Sequence, residues 1–553
     1  MKRISRKTAL FAILAVTIIS FFAFSKPDEK YFEIARNLDI FASLFKEVNN
    51  YYVDEVNPNQ MIKKGIDAML ESLDPYTNYI PEDEIEDFRT MTTGQYGGIG
   101  AVIGKRNERP IILMPYEGFP AHKAGLMVGD EILAVDGIEV TSKPTSDISK
   151  LLKGQSNTQV KVTIKRYGMA DKMDVVLTRE KIKIENVPYY GMVNDKTGYI
   201  KLSDFTSGAS KEVKKALVEL KSSGAKNIIL DLRDNPGGLL SEAINISNLF
   251  VQKDKEIVRT KGKISEWNKV YNALNSPVDT DIPLVVLTSS RSASASEIVS
   301  GVMQDYDRGV LIGQRTYGKG LVQATRPLSY NCQLKITTAK YYTPSGRCIQ
   351  AIDYSHRNED GSVGKIPDSL RVAFKTKNGR VVYDGGGITP DIEVEKKPLA
   401  PITSSLISKG LLFDYATSYS SKNKKIKAAK DFKLSEEEYQ EFVKWLADKE
   451  YDYTTKVENT IEDLVNFSKK EKYYDAIKAQ IESLRSQVSH NKEKDLQTFK
   501  LEIKEYLEEE IVSRYYLQKG TIEAGFDDDE DIKEALKIFN AQAEFAKILS
   551  GKN

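Results

Sequence analysis

The stretch NIILDLRDNPGG, residues 227–238, decides the fold of this chain. Its first six residues are mostly apolar, which predicts a buried strand. Two glycines follow, and glycine lets backbone N–H groups turn toward a ligand or approach it closely. An ordinary strand-to-helix turn would explain the same glycines, and the local sequence alone favours that simpler reading. No Lys-Ser/Thr pair follows the glycines, so the stretch is not a phosphate-binding loop.

A second apolar strand is predicted over residues 283–288, and the small-residue loop SSRSASASE, residues 289–297, follows it. A helix should then run through Ile298 and Met303. This order can expose a serine oxygen at the positive end of a helix dipole. The alternative is that Ser294 and Glu297 form a capping box, an arrangement far commoner than a nucleophile. Spacing alone does not choose among the serines at 292, 294 and 296.

The third element is GQRTYGKGLVQ, residues 313–323, in which glycines flank Lys319. An exposed lysine in a turn is the default interpretation. A lysine that acts as a base must be buried, because only the neutral amine accepts a proton and desolvation lowers the pKa toward that state. On an ideal strand Lys319 and Gln323 share a face but lie about 13 Å apart, at about 3.3 Å per residue. Contact between them requires a bend, which we expect at Gly320.

A compact β-rich module is predicted over residues 95–182. Asp136-Gly137 separates two short apolar runs, a strong hairpin signal because both residue types tolerate positive φ. A short helix over residues 147–152 and a strand over residues 160–165 follow. The glycines at 98, 100 and 104 do not fit a dinucleotide-binding fingerprint, since the last comes one residue late and a polar turn follows it.

The beginning of the chain carries an export pattern. Lys2, Arg3, Arg6 and Lys7 precede an uncharged, largely apolar run over residues 8–25. A basic start followed by such a run predicts an export signal, cleaved after Ser25. The run also approaches the length of an uncleaved membrane anchor. Both alternatives place the body of the protein outside the cytoplasm, and no other segment could span a membrane.

Composition excludes several classes of function. The 553 residues suggest several domains, and the 41% hydrophobic share is enough to build cores. Lys and Arg total 80 against 79 Asp and Glu, which argues against a nucleic-acid binder. Two cysteines and three histidines make a Cys/His zinc site improbable and leave few bases for a Ser–His–Asp triad.

The distribution of glycine and proline predicts the organisation of the chain. Residues from 401 onward contain four of the 35 glycines and are rich in Lys, Glu, Leu and Tyr, which predicts a helical tail. Residues 30–90 are also predicted to be helical. The tail either packs on the core or between subunits, or captures substrates or an adaptor. Because its composition is separate, we expect a chain truncated near Lys397 to keep a folded core.

The two cysteines are not expected to pair. A tight turn over residues 343–346 would set Cys348 beside Tyr341 and leave Cys332 several residues away. Two Cα atoms so far apart cannot be bridged by a disulfide.

The β-rich module resembles a PDZ domain in its order of elements. Gly98, Ile99, Gly100 and Ala101 match the carboxylate-binding loop, and residues 124–133 match the second half of such a domain. The resemblance implies that successive backbone N–H groups hold a C-terminal carboxylate while the peptide adds a strand beside the next edge.

The motifs together resemble the carboxyl-terminal processing proteases, Ser–Lys endopeptidases with an inserted PDZ domain. The resemblance covers roughly residues 35–395 and includes the motif GITPD, residues 387–391. It implies that Ser294 is the nucleophile, Lys319 the general base and Gln323 the residue that orients the lysine. It places the oxyanion hole on the N–H of Ala295 and of Gly237 or Gly238. It also implies that the PDZ domain gates activity, and it implies no metal or organic cofactor.

The implied architecture is a multidomain α+β protein with a crotonase-like α/β peptidase core, an inserted β-rich PDZ domain and helical N- and C-terminal regions. The expected bounds are 1–25 for a signal peptide or membrane anchor, 30–93 for the N-terminal helical region, 94–182 for the PDZ domain, 183–397 for the Ser–Lys peptidase core and 398–553 for the C-terminal helical region. The protein is expected in the periplasm, soluble or anchored to the inner membrane. Its expected partners are the C-termini of protein or peptide substrates, with an adaptor or a second copy at the helical tail.

Two other classes compete with this interpretation. A non-catalytic PDZ scaffold could gather C-terminal tails on a degenerate peptidase core, but Ser294, Lys319 and Gln323 together disfavour it. A crotonase-like acyl-CoA enzyme would also use glycine-built oxyanion holes. The inserted PDZ module and the export pattern disfavour that enzyme.

Overall fold

The computed structural model describes residues 27–488 and 491–551. The signal or anchor segment expected at residues 1–25 lies outside the described residues. Among the helices described, none is long and apolar enough to cross a membrane. The described residues divide into two compact units, one that ends at Tyr79 and one that begins at Ile80.

The first unit contains helices α1 (Pro27–Tyr51) and α2 (Pro58–Glu71), which confirms the helical prediction for this part of the chain. Asn57 caps α2, because its Oδ1 accepts the Gln60 N–H at 3.1 Å. The Asp74 carboxylate then accepts the N–H groups of the two residues at 76 and 77, each at 2.8 Å, and so forms the turn that leads to strand β1 (Asn78–Ile80).

The second unit begins with α3 (Ile85–Thr93) and continues into the PDZ-like module. The strands of the module are β2 (Gln95–Gly98), β3 (Ala101–Arg106), β4 (Arg109–Pro115), β5 (Glu131–Val135), β6 (Ile138–Glu139), β7 (Gln159–Lys165), β8 (Met173–Thr178) and β9 (Glu180–Lys183), with helices α4 (Pro120–Lys123) and α5 (Thr145–Leu152). The main sheet has the order β3-β4-β5-β7-β8. Asp136 and Gly137 turn with φ of 49° and 79°, and Val135 pairs with Ile138. The predicted hairpin and short helix are confirmed.

The central part of the chain is an α/β layer structure. Its strands are β10 (Tyr189–Met192), β11 (Thr197–Lys201), β12 (Asn227–Asp231), β13 (Glu256–Gly262), β14 (Lys269–Asn272), β15 (Leu284–Thr288), β16 (Val310–Gly313), β17 (Leu321–Pro327), β18 (Gln333–Tyr342), β19 (Ile352–Arg357), β20 (Val363–Lys365), β21 (Ala373–Lys375), β22 (Val381–Tyr383) and β23 (Ile392–Glu393), and its helices are α6 (Ala209–Ser222), α7 (Leu240–Ser247) and α8 (Ala295–Asp305). The central sheet has the order β10-β11-β12-β15-β16-β23, antiparallel at β10-β11 and parallel elsewhere. The two strands predicted from the sequence are its neighbours β12 and β15.

A second antiparallel sheet lies beside the central one. It contains β14, β13, β18 and β17 in that order, and its register shifts between Val322 and Gln323 on β17. Of the two cysteines, Cys332 lies just before β18 and Cys348 after it, and within the described residues they form no disulfide.

The tail is helical, as predicted. Its helices are α9 (Pro401–Ser408), α10 (Leu411–Lys422), α11 (Glu436–Trp445), α12 (Lys456–Lys470), α13 (Tyr474–Val488), α14 (Lys492–Thr498), α15 (Lys500–Ala524), α16 (Glu530–Asn540) and α17 (Gln542–Ser550). Helices α9, α10, α11 and α15 share an apolar core of their own.

Both faces of the central sheet are buried, because its strands are nearly continuous apolar runs whose successive side chains point to opposite faces. Ile228 and Leu230 pack with α6, α7 and α8, whereas Ile229 packs on the other face with Ile532 and Phe539 of the tail. This packing argues against the expectation that truncation near Lys397 spares the core, since α16 covers one face of the central sheet.

Candidate functional site

Ser294 occupies a strained position at the start of α8. Its φ and ψ are 56° and −112°, a region that non-glycine residues rarely adopt. The surrounding structure holds this conformation: the Ser294 N–H donates to Glu297 Oε2 at 2.8 Å, and its carbonyl accepts the Tyr341 hydroxyl at 3.1 Å. The predicted capping box is present, and its short hydrogen bond is the one that the Glu297 carboxylate accepts from the Ser294 N–H.

The structure separates the three candidate serines, which spacing could not do. The Ser292 hydroxyl donates to the Leu232 carbonyl at 2.7 Å, and the Ser296 hydroxyl donates to the Asn235 carbonyl at 2.9 Å. Both of these side chains are fully buried. Ser294 is only partly buried, so it is the serine of the three that a substrate can reach.

Glu297 joins the Ser294 loop to the Lys319 turn. Its Oε1 accepts the Thr316 hydroxyl at 2.5 Å and the Gly318 N–H at 2.7 Å, and its Oε2 accepts the Lys319 N–H at 2.9 Å as well as that of Ser294. Complete burial raises the pKa of Glu297 to about 7, although these hydrogen bonds oppose the rise. Sequence reasoning found Glu297 only as a capping residue. Its second role depends on contacts with residues about 20 positions away, which no local pattern reveals.

The turn that carries Lys319 is closely packed. Gly318 has φ of 89°, and a Cβ atom there would lie 2.3 Å from the Ala351 Cβ. The Gly320 N–H donates to Gln350 Oε1 at 2.7 Å. The motif at residues 387–391 supports the same turn, since the Ile388 N–H donates to the Thr316 hydroxyl at 2.7 Å. Lys319 itself is partly buried.

Gln323 lies on β17 and reaches across to the neighbouring strand. Its Nε2 donates to Thr337 Oγ1 at 3.2 Å. Lys319 precedes β17, so the ideal-strand separation of the two residues does not apply. Strand β17 is irregular between Val322 and Gln323, where its pairing with β18 shifts register. The bend that we expected at Gly320 stays a prediction.

The glycine pair lies against the serine loop. A Cβ atom on Gly237, whose φ is 98°, would lie 2.8 Å from both the Ser294 Cβ and the Ala295 nitrogen. The Gly237 N–H donates to Asn235 Oδ1 at 2.9 Å. Gly238 bridges to Phe205, whose carbonyl would lie 2.6 Å from a Cβ at this position. Ala295 is the first residue of α8, where helix geometry leaves N–H groups without intrahelical acceptors.

A charged cluster lies at the beginning of the glycine loop. Asp231 is fully buried and accepts the Tyr199 hydroxyl at 2.6 Å. Burial alone would raise the pKa of Asp231, but the positive charges of Arg233 and Lys201 outweigh it and lower that pKa. Arg233 also binds the carboxylate of Asp529 in the tail, a contact across almost 300 residues that sequence reasoning missed.

The PDZ-like module contains a small cavity of about 50 Å³ between β3 and α5. The residues that line it are Tyr96, Ile99, Ala101, Ile103, Ser149, Leu152 and Lys153. Of the four residues predicted for this site, Ile99 and Ala101 line the cavity. Gly98 instead pairs with Glu180 in β9, and Gly100 turns with φ of 73°. Strand β3 is terminal in the sheet order of the described strands, so it offers an edge to a peptide.

Three family models match this chain, and each falls on one of the regions described above. Residues 196–356 match peptidase family S41, residues 111–166 match a PDZ domain, and residues 402–539 match the C-terminal helical domain of a probable PDZ-protease. The matches therefore define a PDZ-containing protease with a helical tail. The third model also covers the helical tail, which lay outside the resemblance seen in the sequence.

Curated relatives narrow this class further. The "Carboxy-terminal-processing protease" of Bartonella bacilliformis is 35% identical over 326 residues, which cover 58% of this chain and 74% of that protein. The "Probable CtpA-like serine protease" of Staphylococcus aureus is 37% identical over 316 residues, 57% of this chain and 62% of that protein. The chain belongs to the family of carboxyl-terminal processing proteases.

Among solved structures, a photosystem II D1 C-terminal processing protease is similar, with 26% identity over 64% of this chain and 92% of that chain. The TM-score of this comparison is 0.34. Among the described residues, no cluster of three or more His, Cys, Asp or Glu side chains is placed to hold a metal ion.

Proposed function

We propose that this protein is an exported serine endopeptidase that cleaves protein substrates at or near their C-termini, with Ser294 as nucleophile and Lys319 as general base. One observation carries the proposal: a single carboxylate oxygen, Glu297 Oε2, accepts the N–H groups of both residues, at 2.8 and 2.9 Å. This shared acceptor brings together a serine at a strained helix start and a lysine in a closely packed turn. Membership of the protease family supports the assignment.

The proposed reaction is acyl transfer through the serine. The Ser294 hydroxyl attacks the scissile carbonyl while the neutral Lys319 amine accepts its proton. The lysine then donates this proton to the leaving amine. In the second half of the reaction, water attacks the acyl-enzyme ester while Lys319 accepts its proton, and the lysine donates that proton to the Ser294 oxygen as the acid product leaves. Gln323, which Thr337 holds on β17, would orient the lysine side chain.

Backbone donors would stabilise the oxyanion. Ala295 offers an N–H at the positive end of α8, and a glycine of the pair offers the second. Since Asn235 already accepts the Gly237 N–H, we favour Gly238 as the glycine donor. A single donor of this kind contributes about 3–4 kcal/mol to transition-state stabilisation.

The PDZ domain would bind the substrate tail. A peptide could pair with the outer edge of β3 and place an apolar last residue in the cavity beside Ile99. We propose that this binding gates the peptidase rather than only tethering the substrate. The basic and apolar pattern of residues 1–25 supports export to the periplasm, with or without an anchor in the inner membrane. The parallel sheet with its glycine turn supports a crotonase-like description of the core.

The direct test is proteolysis of an unfolded, casein-like protein by the purified chain. The wild-type chain should degrade it, and both Ser294→Ala and Lys319→Arg should abolish degradation, because a guanidinium group does not deprotonate in a protein. Lys365→Arg, an exchange at an exposed lysine on β20, is the matched control. Substantial proteolysis by the Lys319→Arg variant would contradict the Ser–Lys assignment. A wild-type chain that binds C-terminal peptides but leaves casein intact would support the scaffold instead.

A further inference from the structure

Arg233 connects the glycine loop to the C-terminal tail. It lies two residues beyond the end of β12, and its side chain is 14% exposed. Its Nη2 lies 2.7 Å from Asp529 Oδ2, and its Nη1 lies 2.8 Å from Asp531 Oδ2. Both aspartates belong to the start of α16, so a helix of the tail holds a residue that leads into the candidate site.

Arg233 is also held at its backbone. Its N–H donates to Asp231 Oδ1 at 2.7 Å, and its carbonyl accepts the Lys201 ammonium at 2.9 Å. The next residue, Asp234, has φ of 63°. Only three further residues separate it from Gly238. A displacement of Arg233 would therefore move the glycine pair relative to Ser294.

The tail supplies the charge that Arg233 needs. Without Asp529 and Asp531, a largely buried guanidinium would share Asp231 with Lys201 and would lose its other carboxylate partners. Removing one partner of a buried ion pair is strongly destabilising, because it leaves an uncompensated buried charge. Arg233 would lower this cost by shifting toward water, away from its present position.

The aspartates are themselves firmly placed. The Asp529 carboxylate caps α16 by accepting the N–H groups of Asp531 and Ile532, at 3.0 and 3.1 Å. Just before it, the Phe526 ring packs against Tyr189 and Tyr199, with centroids 5.7 and 5.0 Å apart. These contacts make the start of α16 a rigid support for Arg233.

We propose that Asp529 and Asp531 are positioning residues for the peptidase: they hold Arg233 and thereby set the glycine loop that supplies an oxyanion donor. The tail would thus complete the active site without touching the substrate. This inference rests on the proposed function.

The test is the full-length variant with Asp529→Asn and Asp531→Asn. Asparagine caps a helix about as well as aspartate, so the start of α16 should be retained. On a short peptide substrate, kcat should fall about 10- to 100-fold while KM changes less than about twofold, because a small misplacement of catalytic groups acts on the transition state. A peptide aldehyde, which forms a tetrahedral adduct with the serine, should lose affinity by a similar factor.

Asp528→Asn is the matched control. This neighbouring aspartate pairs with Lys433 at 2.7 Å and does not contact Arg233, so the variant should keep wild-type kcat. If the double variant unfolds, as judged by circular dichroism, the single variant Asp531→Asn is measured in its place, since Asp531 is not the N-cap of α16. We expect a several-fold lower kcat at a temperature where circular dichroism shows the variant to be folded, with at most a modest fall in melting temperature.

The outcomes separate the two proposals. Wild-type kcat and aldehyde affinity in the double variant would overturn the positioning role, and so would a loss of kcat that only follows a loss of folded protein. A wild-type chain that cleaves no peptide, or a Ser294→Ala variant that cleaves as well as wild type, would overturn the proposed function instead.

Discussion

At the scale of single residues, the choice among the serines depends on what occupies each hydroxyl. The side chains at 292 and 296 are buried and donate to the backbone of the strand and loop beneath them. Ser294 is held through its backbone rather than through a buried hydroxyl. This division of roles makes separate predictions for the three residues.

We expect Ser294→Ala to abolish proteolysis while leaving the melting temperature nearly unchanged. Ser292→Ala should instead lower the free energy of unfolding by about 1–3 kcal/mol, because the buried Ser289 N–H loses its acceptor. Ser296→Ala should lower it by about 0.5–1.5 kcal/mol, because the Asn235 carbonyl loses this donor but keeps the Ala293 N–H. These two variants should remain active at temperatures where they are folded. Urea unfolding and peptide hydrolysis on the same preparations measure both effects. Full activity of Ser294→Ala would contradict the assignment of the nucleophile.

The raised pKa of Glu297 predicts how the stability of the protein depends on pH. Its pKa is raised from 4.5 to about 7, so the folded chain binds a proton there that the unfolded chain releases over this range. The contribution of this group to stability is therefore complete below pH 4.5 and is lost as the pH rises through about 7. Glu297→Gln removes the titration, so its free energy of unfolding should decline less between pH 5 and 7. Equal slopes for both proteins in urea titrations would refute this.

The same carboxylate should also influence activity. Protonation replaces an acceptor oxygen with a donor that faces N–H groups of the Ser294 loop and the Lys319 turn. We expect kcat of the wild-type chain to fall as the pH drops below about 7, and Glu297→Gln to lower kcat about tenfold or more at pH 8. The matched control is Glu544→Gln at an exposed position of α17, which should keep the wild-type pH profile.

At the scale of elements, the turn that carries Lys319 depends on a close approach of two backbones. Gly318 needs both a positive φ and the space of a missing Cβ. Gly361, in the turn between β19 and β20, has φ of 80°, yet in the described part of the chain nothing lies within 4 Å of its Cβ position. Substituting each glycine in turn therefore separates the cost of backbone strain from the cost of steric crowding.

We expect Gly361→Ala to cost only the strain of a left-handed alanine, about 1–2 kcal/mol. Gly318→Ala should cost a further 1–3 kcal/mol or so from overpacking against Ala351, and should lower kcat because Lys319 is the next residue. Thermal unfolding and peptide hydrolysis of both variants provide the comparison. If the two substitutions have the same effect on stability and activity, the close packing of this turn is unimportant.

At the scale of the whole molecule, the tail is part of the fold of the core. Helix α16 buries Ile532 and Ile538 against the central sheet. A chain that ends near Lys397 would expose that face, and exposed apolar patches of this kind favour aggregation. We therefore expect the truncated chain to be insoluble or to lack fixed packing.

A milder test uses single substitutions in the intact chain. Ile538→Ala should lower the free energy of unfolding by about 2–5 kcal/mol, as expected for a buried large-to-small change. Lys537→Ala, at the exposed neighbouring position, should change it by less than about 0.5 kcal/mol. Urea denaturation followed by a spectroscopic signal of the core measures both. A negligible effect of Ile538→Ala would mean that α16 is dispensable.

The gate and the tether make different predictions for a peptide added in trans. A short substrate that cannot reach the PDZ cavity should be cleaved with a different kcat when a second peptide with a free, apolar C-terminus saturates the domain. The same peptide with an amidated C-terminus is the control, because it lacks the carboxylate that the loop would hold. An unchanged kcat would leave only the tether, which acts through local concentration.

Much of this organisation could be predicted without a structure. Apolar runs identified β12 and β15, Asp136-Gly137 identified a hairpin, and low glycine content identified the helical tail. Each of these features depends on the conformational preferences of neighbouring residues, which a short stretch of sequence already specifies. Resemblance to a family then selected Ser294 and Lys319, which local patterns could not do.

Only the tertiary structure decided how these parts meet. It buried the hydroxyls at 292 and 296, placed Glu297 between Ser294 and Lys319, and laid α16 on the sheet with its aspartates on Arg233. These contacts join residues that are distant along the chain, and they form because a sheet with two apolar faces must be covered on both sides. The composition of a segment reveals that it has a face to bury, but not which part of the chain will cover it.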